Sequence, residues 1–81
     1  MKRIYVLQNR WVLIGDVHLN EREVRLTDAS VIRVWGTTKG LGEIALKGPT
    51  EKTQLDPCGT TTIPHNAVLF SIDCTYEQRP A

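Results

Sequence analysis

The chain has 81 residues, 41% hydrophobic and 23% charged, which supports one small folded domain and argues against a disordered polar chain. Ten Lys and Arg against nine Asp and Glu leave a net charge of +1, which argues against binding to nucleic acid or membranes through overall charge. No apolar run approaches the ~20 residues that span a bilayer, and Gln8-Asn9-Arg10 interrupts Ile4–Leu7 before it could act as a secretion signal. The two cysteines, Cys58 and Cys74, are read as free thiols, and the compartment as the cytoplasm.

The first half predicts strands. Arg3–Leu7 is rich in Ile, Tyr and Val. Trp11–Leu19 alternates, with Trp11, Leu13, Val17 and Leu19 on one face and Val12, Ile14, Asp16 and His18 on the other. Gly15 inside this run signals a bulge or a close backbone approach. Asn20-Glu21-Arg22 is a polar turn. Glu23–Thr27 is a third strand, Asp28-Ala29 a break, and Ser30–Trp35 a fourth strand.

The period then changes. Leu41, Ile44 and Ala45 form a helical stripe, with Thr38 as candidate N-cap, Gly48 as candidate C-cap and Pro49 just beyond. So short a helix needs a sheet to pack on. Pro49–Gly59 reads as loop, Thr60–Ile63 as a β-prone run, Pro64-His65-Asn66 as a turn and Ala67–Cys74 as the last strand. Residues 1–74 form a single mainly β (β-rich α+β) domain, and 75–81 a flexible C-terminal tail. The predicted architecture is a small antiparallel sheet or partly closed barrel of five to six strands, with one short helix near 40–47.

Five of the six glycines fall within 35–59. A Gly/Thr/Lys loop running into a helix offers backbone N–H groups, hydroxyls and a cation, a combination that suits phosphate or carboxylate. The candidate ligand-binding residues are therefore Arg33, Trp35, Gly36, Thr37, Thr38, Lys39, Gly40 and Asp56. Lys39 would supply charge, Thr37 and Thr38 hydroxyls, Trp35 a stacking surface, and Asp56 an acceptor for a ribose or base edge. The spacing matches neither the Walker loop nor the dinucleotide fingerprint. A plain strand-to-helix connection, with Trp35 filling the core and Asp56 making a turn, fits the same residues.

The string Val31-Ile32-Arg33-Val34-Trp35-Gly36-Thr37-Thr38-Lys39-Gly40-Leu41-Gly42-Glu43-Ile44-Ala45, with Gly48-Pro49-Thr50 and Leu55-Asp56-Pro57-Cys58-Gly59, resembles a family of short proteins of bacteriophage and prophage genomes. The likeness runs from about Val12 to Cys74 and is densest in 31–59. In the relatives an Arg-aromatic pair, the Leu-x-x-Ile-Ala helix and the final Val/Ile strand recur, whereas the Gly-Thr-Thr-Lys loop does not. The resemblance implies a phage accessory protein acting in the host cytoplasm and supplies no activity of its own.

The leading expectation is a homo-oligomeric sponge for a phosphate-bearing nucleotide signal of host defence. The alternatives are an inhibitor that acts by contact with a host protein, and a small β-barrel binding single-stranded nucleic acid. Catalysis is not expected. Cys58 with His65 lacks a recognisable orienting group, and Cys58, Cys74, His18 and His65 lack metal-ligand spacing, so neither metal nor cofactor is assigned.

Overall fold

A computed structural model describes residues 1–76. Five strands form one sheet, β1 (Lys2–Leu7), β2 (Val12–Leu19), β3 (Glu23–Val34), β4 (Gln54–Pro64) and β5 (Val68–Asp73), in the order β4-β3-β2-β1-β5. Every neighbouring pair is antiparallel. One helix, α1 (Leu41–Lys47), lies between β3 and β4, and a single 3₁₀ turn, His65–Ala67, joins β4 to β5. The mainly β fold with one short helix near 40–47 is thus present, as an open sheet.

Two boundaries differ from the sequence reading. Asp28-Ala29 does not end a strand: β3 runs through it to Val34, with Asp28 at φ 50° and the register against β4 shifting between Leu26 and Ser30. The predicted break is a bulge, since one residue in left-handed conformation lets a strand bend without ending. Likewise Gln54–Gly59, read as loop, is the first half of β4, where Pro57 is tolerated because β4 is an edge strand.

The irregularities line up. The β2–β3 register shifts at Gly15, and a Cβ there would meet Ala29 at 3.1 Å. The β3–β4 register shifts beside Ala29, opposite Gly59. Gly15, Asp28–Ala29 and Gly59 therefore mark a crease across three strands, beyond which the outer parts of β2, β3 and β4 fold over. The connection to β5 requires this folding. In a flat sheet the edges β4 and β5 would lie roughly 19 Å apart, at four spacings of about 4.8 Å. The Pro64–Val68 link reaches at most about 14 Å. It must also join opposite ends, because Pro64 pairs with Glu23 at the start of β3 and Val68 with Leu7 at the end of β1.

The crease creates a core on each face. On the convex face α1 lays Leu41, Ile44 and Ala45 over Ile4, Val12, Ile14, Ile32 and Cys74. On the concave face, which no helix covers, Tyr5, Leu13, Val24, Leu26, Ala29 and Ile63 are buried by the sheet's own curl. The helix is capped by its glycines. Gly40 (φ 81°) is the N-cap with no side-chain cap, so Thr38 does not serve; Gly48 (φ 87°) is the C-cap and donates its N–H to Ile44 O at 2.8 Å. Leu46 lies on the outer side of α1 and is exposed. Thr75 and Tyr76, read as the start of a loose tail, donate backbone N–H groups to Ala45 O, and the Tyr76 ring packs on Gly48. The rest of that tail, 77–81, lies outside the described residues.

Candidate functional site

The eight sequence-nominated residues fall into two groups. Arg33 and Asp56 sit on the β3–β4 pair, where Arg33 Nε is 3.2 Å from Asp56 Oδ2 and the guanidinium also donates to Gln54 Oε1 at 3.2 Å. Asp56 lies opposite Val31, so the ion pair belongs to the concave face. Both partners are exposed, and the pair contributes little to stability.

Trp35–Gly40 form the loop into α1. Its shape is set by internal hydrogen bonds. Thr37 Oγ1 donates to Gly40 O at 2.9 Å, Thr50 Oγ1 to Gly36 O at 2.7 Å and Thr53 Oγ1 to Trp35 O at 2.6 Å. Gly36, at φ 65°, lies so close to the Lys52–Thr53 backbone that a Cβ would fall 2.3 Å from Lys52 C. The threonines are therefore splints between this loop and the turn before β4. Thr38 and Lys39 are exposed, and Lys39 makes no ion pair among the described residues. Trp35 is exposed rather than filling the core, and its ring edge faces Gly40.

A strongly apolar cavity lies elsewhere. It opens on the concave face with a volume of ≈ 290 Å³. Leu7, Trp11, Leu13, Val31, Ile63 and Ala67 supply its apolar surface, and Cys58, Thr61, Thr62 and Pro64 its β4 side. The curl creates it by bringing the C-terminal end of β4 across from the β1–β2 turn. The 3₁₀ turn is held there by Gln8 Nε2 donating to Asn66 O at 2.7 Å and by His65 Nε2 in contact with Asn20 O at 2.9 Å. Trp11 is 56% exposed, so its ring forms an open wall rather than part of the core. Of the cavity residues the sequence singles out Cys58, as a nucleophile or metal ligand, and the alternation of Trp11 with Leu13 is legible, but nothing local in Thr61–Pro64 says what that stretch faces.

The thiols are unpaired and far apart in character. Cys58 is exposed on β4, 3.3 Å from Thr61 Oγ1, while Cys74 is buried under α1, where burial pushes its thiol up from the usual cysteine range. Among the described residues no three of His, Cys, Asp and Glu gather as a metal-ligand set. No helix is long and apolar enough to cross a membrane. No protein-family model, curated protein or solved structure matches the chain.

Proposed function

We propose that this protein is a non-catalytic binding module that takes an apolar side chain of a partner protein into its concave cavity, in the manner of a phage inhibitor of a host factor. The observation that carries this reading is the cavity's chemistry: an almost wholly apolar hollow, open to solvent and walled by an exposed tryptophan. A pocket of ≈ 290 Å³ suits one or two large side chains, the anchor-in-pocket arrangement of interface hot spots. It offers few polar partners to the edge of a nucleobase, whose donors and acceptors would be left unsatisfied. The Arg33–Asp56 pair lies on the same face, with Asp56 opposite Val31 of the cavity lining, and offers polar groups beside the apolar surface. The family resemblance supports the phage setting and the host cytoplasm as its place of action.

A second reading keeps the phosphate-bearing nucleotide, bound at the Trp35–Gly40 loop. It is favoured by one observation: exposed Lys39, which makes no ion pair among the described residues, directly precedes the glycine that the exposed Trp35 ring faces.

One experiment separates the two. Immobilised wild type, Trp11→Ala and Lys39→Ala are exposed to host lysate, and each soluble variant is screened by thermal shift against cyclic nucleotides and ADP-ribose derivatives. Trp11 and Lys39 are both exposed, so both substitutions leave the core intact. A partner held by wild type and Lys39→Ala but lost by Trp11→Ala supports the concave site. A nucleotide shift abolished by Lys39→Ala alone, with no captured protein, overturns it in favour of the loop.

A further inference from the structure

The two edges of the sheet are not equivalent. Edge strand β4 carries Pro57 and Pro64, which have no N–H to offer, and its ladder is broken by three register shifts. These are devices that keep an edge from accepting another strand. Edge strand β5, Val68-Leu69-Phe70-Ser71-Ile72-Asp73, contains no proline and a single irregularity, at Leu69. Its exposed residues include Leu69 (60%) and Phe70 (52%), large apolar side chains that a protected edge would replace with charge.

The ladder shows which backbone groups are free. Cys74 N–H donates to Lys2 O at 3.0 Å, and the register continues as Arg3–Asp73, Ile4–Ile72, Tyr5–Ser71 and Val6–Phe70. Ladder bonds alternate along an antiparallel pair, so Cys74, Ile72 and Phe70 face β1, and Ser71 and Asp73 turn their N–H and C=O groups outward. No strand of the described residues lies on that side. A row of outward backbone donors and acceptors is complementary to one kind of surface, another β-strand.

We propose that β5 pairs antiparallel with β5 of a second copy of this chain, about a two-fold axis at Ser71, joining two sheets into one. The pairing is self-complementary. Ser71 exchanges both ladder bonds with its symmetry mate, and Phe70 lies opposite the partner's Ile72, so the exposed ring meets an aliphatic side chain on each side of the axis. Charge does not oppose it. Asp73 is the one charged residue of β5 and is already neutralised by Arg3, whose Nε lies 2.7 Å from Asp73 Oδ1. The chain's net charge of +1 adds little repulsion between copies. The proposal does not depend on the concave cavity, which β5 does not line.

Sedimentation velocity on the full chain over a range of concentrations tests it, together with amide hydrogen exchange. Wild type is expected at about 18 kDa, twice the 9.1 kDa chain, with the Ser71 and Asp73 amides protected. Phe70→Lys sets two like charges beside the axis, and Ser71→Pro removes the central donor without touching the β1 ladder. Each is expected to sediment as a monomer. In Phe70→Lys, which keeps the backbone intact, the Ser71 amide exchanges freely while those of Ile4 and Ile72 stay protected. That protection also reports that the monomer is folded. A wild type that stays monomeric throughout, or a dimer that survives both substitutions, overturns the proposal; the latter places the interface on another surface.

Discussion

At the scale of single residues, the glycines of the 36–48 segment have different reasons to be glycine. Gly36 combines a positive φ with backbone in the space a side chain would need. Gly36→Ala should cost more than the ~1 kcal/mol typical of a left-handed position, because the Lys52 backbone cannot step aside. Gly42 has neither constraint: it lies inside α1 and nothing stands within 4 Å of an added Cβ. Gly42→Ala is expected to stabilise, by less than the ~0.8–1 kcal/mol helix-propensity difference of an interior position because Gly42 lies in the first turn. Urea titration of the two variants measures both signs. The cysteines divide in the same way. Iodoacetamide should alkylate exposed Cys58 in the native protein and reach buried Cys74 only after denaturation, read by intact mass before and after urea. Labelling of both at equal rates would mean that α1 opens readily.

At the scale of elements, the seven-residue helix exists because of what it covers. A helix of two turns is unstable alone, and its N-cap supplies no side-chain bond. Its anchor is Ile44, fully buried over Ile4 and Ile14. Ile44→Ala should cost about 2–5 kcal/mol through lost burial and the cavity left behind. That is a large part of the ~5–15 kcal/mol available to a small domain, so thermal denaturation should show a fall of many degrees. A small shift would mean that the sheet holds itself together and the helix is a passenger. The bulged strands teach a related lesson. Asp28 and Pro57 are strand-breaking residues by type, yet both lie inside strands, because a bulge and a free edge accommodate them.

At the scale of the whole molecule, the crease puts a core on each face, and its convex half carries a pH signature. Burial raises the Cys74 thiol, and burial likewise raises the Tyr76 hydroxyl, both groups packing under α1. In each case the folded state holds its proton more tightly than the unfolded state. Their contribution is therefore complete below the pH near 9 at which an unfolded cysteine titrates, and is lost as pH rises through the folded values. Stability by chemical denaturation should be level across neutral pH and fall above about pH 9, and Cys74→Ala should flatten the first part of that fall. A wild-type curve that rises above pH 9 would contradict the burial of both groups.

The elements whose signal is local are legible in the amino-acid sequence. A run of Ile, Tyr and Val marked β1, alternation marked β2, the first part of β3 and the final strand, Gly15 marked a bulge, and Leu41, Ile44 and Ala45 marked the buried side of one short helix ending at Gly48. The sequence also drew attention to the Trp35–Gly40 loop, whose unusual composition now has a local account in the threonine splints and the close approach at Gly36. Tertiary structure alone decided the rest. That Asp28 bends a strand, that Gln54–Gly59 pairs with β3, and that Thr61–Pro64 faces Trp11 are consequences of contacts between residues far apart in the chain. A periodic pattern reports which side of an element is buried but carries no information about which partner buries it. The concave cavity and the open β5 edge, made by strand order and curl, therefore became visible only in the folded molecule.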